Sequence, residues 1–114
     1  MKVMIKDIIG ISCITAEDGD KVYQMVYKQL KKGDEIILNF RDVKYFNAVF
    51  FNAAIGKLLK DFTDLQLKRL LHIKNITDET QSLIELVVKN STKYYDNPDY
   101  QKIVDEVIKH LMEY

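Results

Sequence analysis

The chain is poor in the residues that most small enzymes and metalloproteins depend on. It has one cysteine, Cys13, so no internal disulfide can form and no cysteine-rich metal site can be assembled. A single unpaired thiol suits a reducing compartment. The only histidines, His72 and His110, are far apart and lack the spacing of a metal-ligand set. Arg41 and Arg69 are the only arginines, a weak inventory for bidentate phosphate recognition. The four glycines, Gly10, Gly19, Gly33 and Gly56, are scattered, which excludes a glycine-rich phosphate loop. Net charge is zero and the pI is 6.7, so nucleic acid and anionic membranes are not expected as main partners. No apolar run approaches the ~20 residues that span a bilayer. The opening MKVMIKDIIGISCI is interrupted by Lys6 and Asp7, with no small-residue cleavage site after it, and is not read as a signal peptide. A cytoplasmic protein is expected.

What is present is an ordinary globular composition. The chain has 114 residues, 47% hydrophobic and 30% charged, which fits one domain over residues 1–114. The organising stretch is Glu35 to Phe62. Ile36, Ile37, Leu38 and Phe40 form an apolar run after Gly33-Asp34, the pattern of a strand covered on both faces. Asn47 is placed to cap a helix. Phe46 before it and Phe51 after it have the spacing of a hydrophobic staple. Phe51, Ala54, Ile55, Leu58, Leu59 and Phe62 then make one apolar stripe, predicting a helix to Phe62. Val49 and Phe50 fall off that stripe beside Tyr45; they either pack under a neighbouring loop or form an exposed apolar lip at the helix start, and the second reading places them in a docking surface.

Along the rest of the chain, Lys2 to Ile9 reads as a first strand near a sheet edge, and Ile11 to Ile14 as a short extended piece. A helix is expected from about Asp18 to Lys32, ended by Gly33. Leu67 to Ile73 reads as a third main strand containing His72. Thr77 caps a following helix, and 90–97 reads as a polar connection. Pro98 then opens a last helix over 98–113, with an i, i+3, i+4, i+7 apolar pattern. That helix either packs on the domain or serves association. The whole is an α/β layered domain with a mixed, mostly parallel sheet of about four strands and about four helices.

No catalytic constellation stands out. Cys13 and His72 could form a nucleophile pair, but nothing in the sequence orients the base. Asp18 and Asp20 look like helix-start residues rather than an acid–base pair. The chain is therefore expected not to be an enzyme, with no cofactor, no metal and no catalytic residue.

Leu38 to Leu59 is similar to STAS domains, the anti-sigma-factor antagonist fold, in its apolar strand, polar turn and apolar helix. More closely, the chain resembles a STAS-like family of uncharacterised function. The matching pieces are Gly10-Ile11-Ser12-Cys13, Glu17-Asp18-Gly19, Asn39-Phe40 and Phe46 to Asn52, within roughly 4–95. The resemblance implies a regulatory adaptor that binds another protein, a kinase-type ATPase regulator in the antagonists. There the ATPase phosphorylates a serine at the helix start. Here that turn reads Asn47-Ala48-Val49-Phe50 and has no hydroxyl, so no phosphorylation site is expected. The expected partner surface is Lys44, Tyr45, Phe46, Asn47, Val49, Phe50 and Asn52, in a monomer or homodimer. The alternative is a small-ligand sensor or weak enzyme using Ser12, Asp42 and Asn47 at the strand ends.

Overall fold

The computed structural model describes residues 1–112. Five short strands form two sheets. β1 (Lys2–Met4), β3 (Ile36–Asn39) and β5 (Leu71–Lys74) make a parallel sheet in the order β1-β3-β5. β2 (Ser12–Cys13) and β4 (Tyr45–Phe46) make a second, two-stranded parallel ladder. The helices are α1 (Ile5–Ile8), α2 (Ala16–Lys31), α3 (Ala48–Ala54), a 3-10 helix (Gly56–Lys60), α4 (Asp64–Leu70), α5 (Asp78–Asp96) and α6 (Pro98–Met112). The α/β class and the predominance of parallel pairing stand as expected; in place of one mixed sheet there are two, with no antiparallel pair among the described residues.

Register explains the layers. Val3 and Ile73 flank Leu38, and Leu71 flanks Ile36, so these side chains share one face of the sheet. Ile36 and Leu38 are buried with Val22 and Val26 of α2, Phe50, Phe51 and Ala54 of α3, and Ile84 and Val87 of α5. The other face carries Lys2, Met4, Ile37, Asn39, His72 and Lys74, none of them buried. The central strand is thus covered on one face, not both. On the open face the Asn39 carboxamide oxygen accepts from the Arg41 N–H at 2.9 Å and from Asn75 Nδ2 at 2.7 Å, tying together the ends of β3 and β5.

Several element boundaries differ from the sequence reading. The first strand stops at Met4, because Ile5 turns into the core as the first residue of α1. The stretch expected as one strand from Leu67 is helix α4 followed by β5. Thr63 and Gln66 form a reciprocal capping box, and Leu67 and Leu70 bury at helical spacing. The helix expected to reach Phe62 breaks at Ile55 and continues as the 3-10 helix. Gly56 opens this 3-10 turn, and a Cβ there would lie 2.6 Å from Ser91 Oγ and 3.4 Å from Val87 Cγ1, so α5 presses directly on it. The expected connection over 90–97 is helical, since α5 runs on to Asp96. Tyr95 there packs against the core, and Tyr94 OH donates to Asp105 Oδ1 of α6 at 2.6 Å. Asn97 then caps α6, its Oδ1 accepting from the Tyr100 N–H at 3.0 Å, with Pro98 in the first helical position. α6 lies along α5 and has no buried residue.

Candidate docking surface

The start of α3 is fixed by Asn47. Its Oδ1 accepts from the Phe50 N–H at 3.0 Å, and its Nδ2 donates to the Ile14 carbonyl at 2.9 Å. One side chain thereby caps α3 and fastens it to the segment after β2. The Ile11 carbonyl accepts from the Lys44 and Tyr45 N–H groups at 2.8 and 3.1 Å, which holds β2 and β4 side by side. Phe46 and Phe51 stack with ring centroids 5.8 Å apart and planes 10° apart, the expected staple.

Helix α2 closes over α3 at Gly19. A Cβ there would stand 2.6 Å from both the Phe50 carbonyl and Ala53 Cβ, so only glycine admits this approach. The closure buries Phe50 completely, at 0% exposure. Its ring meets Phe51 edge-on at 5.2 Å and Phe40 at 6.5 Å. Phe50 is therefore core, and the expected exposed lip does not include it. The stripe across α3 is wider than the spacing from Phe51 onward indicated, because a second helix packs on the Phe50 side.

The other expected partner residues divide. Tyr45 is 58% exposed and Val49 is 53% exposed; Lys44 and Asn52 are also on the surface. Phe46 is half-buried under the staple, and both polar ends of Asn47 are engaged. Ile11 and Ile14, absent from the sequence-based set, are exposed beside Tyr45 and Asn47 on β2 and its flank. The available signal was the pattern Ile11-Ser12-Cys13-Ile14, in which Cys13 alone points fully inward. Ile11, Ile14 and Tyr45 are thus exposed along the β2–β4 ladder and its flank, and Val49 is exposed in the first turn of the helix that follows.

From Val49 a groove of about 640 Å³ runs between α3 and the α5–α6 pair. Val49, Asn52 and Ala53 form one wall, and Tyr94, Tyr100, Val104 and Ile108 the other. Asp20 and Lys57 pair at its edge, with the Lys57 ammonium 4.5 Å from the Tyr23 ring centroid. A second groove, of about 590 Å³, lies between α4, β5 and α5 on an apolar floor of Leu67, Leu71, Ile73, Ile84 and Val88.

A sequence profile for a STAS-like domain of unknown function (DUF4325) matches residues 18–81, more than half of the chain. The chain belongs to that family. The matched span runs from α2 to the beginning of α5, and contains β3, the capped start of α3 and the helix pair joined at Gly19. No curated protein and no solved structure matches the chain.

In this STAS-like domain the residues of the ligand alternative are only partly assembled. Ser12 lies in β2 opposite Tyr45, close to Asn47, whereas Asp42 sits in an exposed turn with φ of 64°. None of the three lines either groove. Cys13 is buried, and burial, reinforced by the Asp18 carboxylate, pushes its thiol up to about 11. At neutral pH it is the protonated, unreactive form. Among the described residues no group of three or more His, Cys, Asp or Glu side chains is placed to hold a metal ion, and no helix is long and apolar enough to cross a membrane.

Proposed function

We propose that this STAS-like domain is a non-enzymatic regulatory module that docks a protein partner through the corner built by β2, β4 and the start of α3. The carrying observation is the exposure of Tyr45 and Val49 on backbone held rigid by the Asn47 cap and the β2–β4 ladder. A braced surface loses little freedom on association, and exposed aromatic and aliphatic side chains are the usual anchors of such interfaces. Ile11, Ile14, Lys44 and Asn52 extend the patch. The resemblance to anti-sigma-factor antagonists points to a kinase-type ATPase regulator as the partner, with cytoplasmic action.

The absence of a hydroxyl from Asn47 to Phe50 supports docking without the phosphoswitch. Thr15, a nearby hydroxyl, already accepts from the Asp18 N–H at 3.1 Å as the cap of α2. The protonated, buried Cys13 thiol supports a non-catalytic role in the same way.

The test compares the wild-type domain with Tyr45→Asp and Val49→Asp as bait for ATPase-type regulators, with thermal melting as the folding control. The expected result is unchanged melting and at least a tenfold weaker complex in both variants. Equal binding by wild type and both folded variants would exclude this corner. Saturable thermal stabilisation by a small molecule, abolished by Ser12→Ala, would instead favour the ligand-sensor alternative.

A further inference from the structure

The groove beside α3 has walls that belong to two different helices of the same chain. On one side Val49 and Ala53 stand four residues apart and share a face of α3, with Gly56 in the 3-10 turn beyond them. On the other side Tyr100, Val104 and Ile108 recur every four residues and form a row along α6. Small side chains thus face large ones, and rows of this spacing interlock when two helices meet. The walls nevertheless stand apart. About 640 Å³ lies between them, Ile108 is 54% exposed, and α6 contributes no buried residue. The contacts that hold α6 on α5 lie near its start: Tyr94 OH donates to Asp105, and the Lys93 ammonium is 4.5 Å from the Tyr100 ring centroid. The two helices are joined by Asn97 alone, in extended backbone with φ −125° and ψ 100°. Pro98 after it has no N–H to bridge the junction and keeps Asn97 extended.

We infer that α6 is a hinged lid, which swings about Asn97 onto α3, closes this groove and covers Val49. The restriction on Asn97 makes the swing a limited one, in which both helices stay intact. Val104 and Ile108 travel further than Tyr100, because they lie further from the hinge. Closure sets them against Val49 and Ala53 and takes apolar surface of both walls out of water. Asn52, Asn90 and Ser91 keep water in the open groove, which opposes closure and leaves the two forms in exchange. The charged flank of α6 stays in water in either form. Glu106, for instance, is two residues from Val104 and so about 200° away around the helix. Val49 also belongs to the proposed docking corner, so the closed form withholds one of its anchors and α6 is autoinhibitory. That consequence rests on the docking reading; the closure itself does not.

Disulfide trapping in the dilute full chain tests the lid, since a bridge forms only between side chains that come into contact. The native Cys13 is buried and protonated and does not compete. Val49→Cys is combined in turn with Val104→Cys, Ile108→Cys and Glu106→Cys. Mild oxidation is expected to bridge at least one of the first two pairs about tenfold faster than the Glu106 pair, within a single chain by mass. A second measurement follows Val49→Cys alone as it reacts with a maleimide. Adding Val104→Asp and Ile108→Asp is expected to raise that rate about threefold or more, with melting unchanged. If the two aspartates disturb folding, the trapping rates decide alone. Trapping no faster than in the Glu106 pair overturns the inference, as does a covalent dimer in place of an internally bridged monomer. A maleimide rate that the aspartates leave unchanged in a folded chain overturns it too. Neither measurement uses the docking partner, so failure of the lid and failure of the docking corner are read separately.

Discussion

Val49 and Phe50 are adjacent apolar residues with opposite surroundings. Phe50 is enclosed by α2, Phe40 and Phe51, while Val49 faces solvent at the rim of a groove. Phe50→Ala should cost about 3–5 kcal/mol of folding stability, through lost burial and the cavity left behind. Val49→Ala should stay within about 0.5 kcal/mol. Urea denaturation of the two variants measures the contrast directly. Cys13 makes a different test, against pH. Its thiol is raised from 9.0 to about 11 by burial first and by Asp18 second. The unfolded chain therefore loses this proton at lower pH than the folded one. The contribution to stability is fully present below pH 9 and is lost as pH rises through about 11. Tyr23 and Tyr95 are also raised, chiefly by burial, and so contribute alkaline pH dependence of the same sign. The comparison is therefore of wild type with Cys13→Ala, whose denaturation midpoint should fall less steeply between pH 9 and 11.

At the level of elements, what was legible in the sequence depended on whether a local signal had a distant competitor. Two caps were legible. Asn47 and Thr77 each accept the backbone N–H three residues on, as their residue types indicate, and Thr15 and Asn97 prove to do the same. Apolar runs were not. LKRLLHI serves equally as strand or helix by its apolar content, and the Thr63–Gln66 capping box decides for a helix up to Leu70. The burial of Phe50 was hidden for another reason: it depends on Gly19, which lies in another helix and whose missing side chain admits α3. Asn47 also does more than its cap position indicates, since its second bond reaches Ile14. Asn47→Ala should therefore cost about 1–3 kcal/mol, cap and tie together. Asn47→Asp should cost less, because it keeps an acceptor for the Phe50 N–H and loses only the donor to Ile14. Thermal unfolding of the two variants separates the cap from the tie.

For the whole molecule, the class and the family were readable because alternating strand and helix patterns survive errors of a few residues at each boundary. The number of strands, the split into two sheets and the open sheet face were not, since pairing partners lie in distant parts of the chain. α6 was recognisable as an amphipathic helix, but periodicity marks an apolar face without saying what covers it. Because α6 contributes no buried residue, removal of residues 97–114 should leave the melting transition cooperative and cost about 1 kcal/mol or less. A calorimetric scan of the shortened chain checks this, and loss of the transition would mean that α6 is integral to the core.

The strand pairings also set how quickly the fold can assemble. Lys2 meets Ile37, Ile36 meets Leu71, and Ser12 meets Tyr45, so every ladder joins residues more than thirty positions apart. Among the described residues no hairpin is available to nucleate either sheet. Each ladder must wait for a long loop to close, and that entropic cost falls before the contacts that offset it. Stopped-flow refolding should accordingly be slower than that of a helical bundle of this length, on the order of milliseconds to seconds. During that interval α2 and α5, whose turns need only local contacts, would be formed while the sheet face they later cover is still bare.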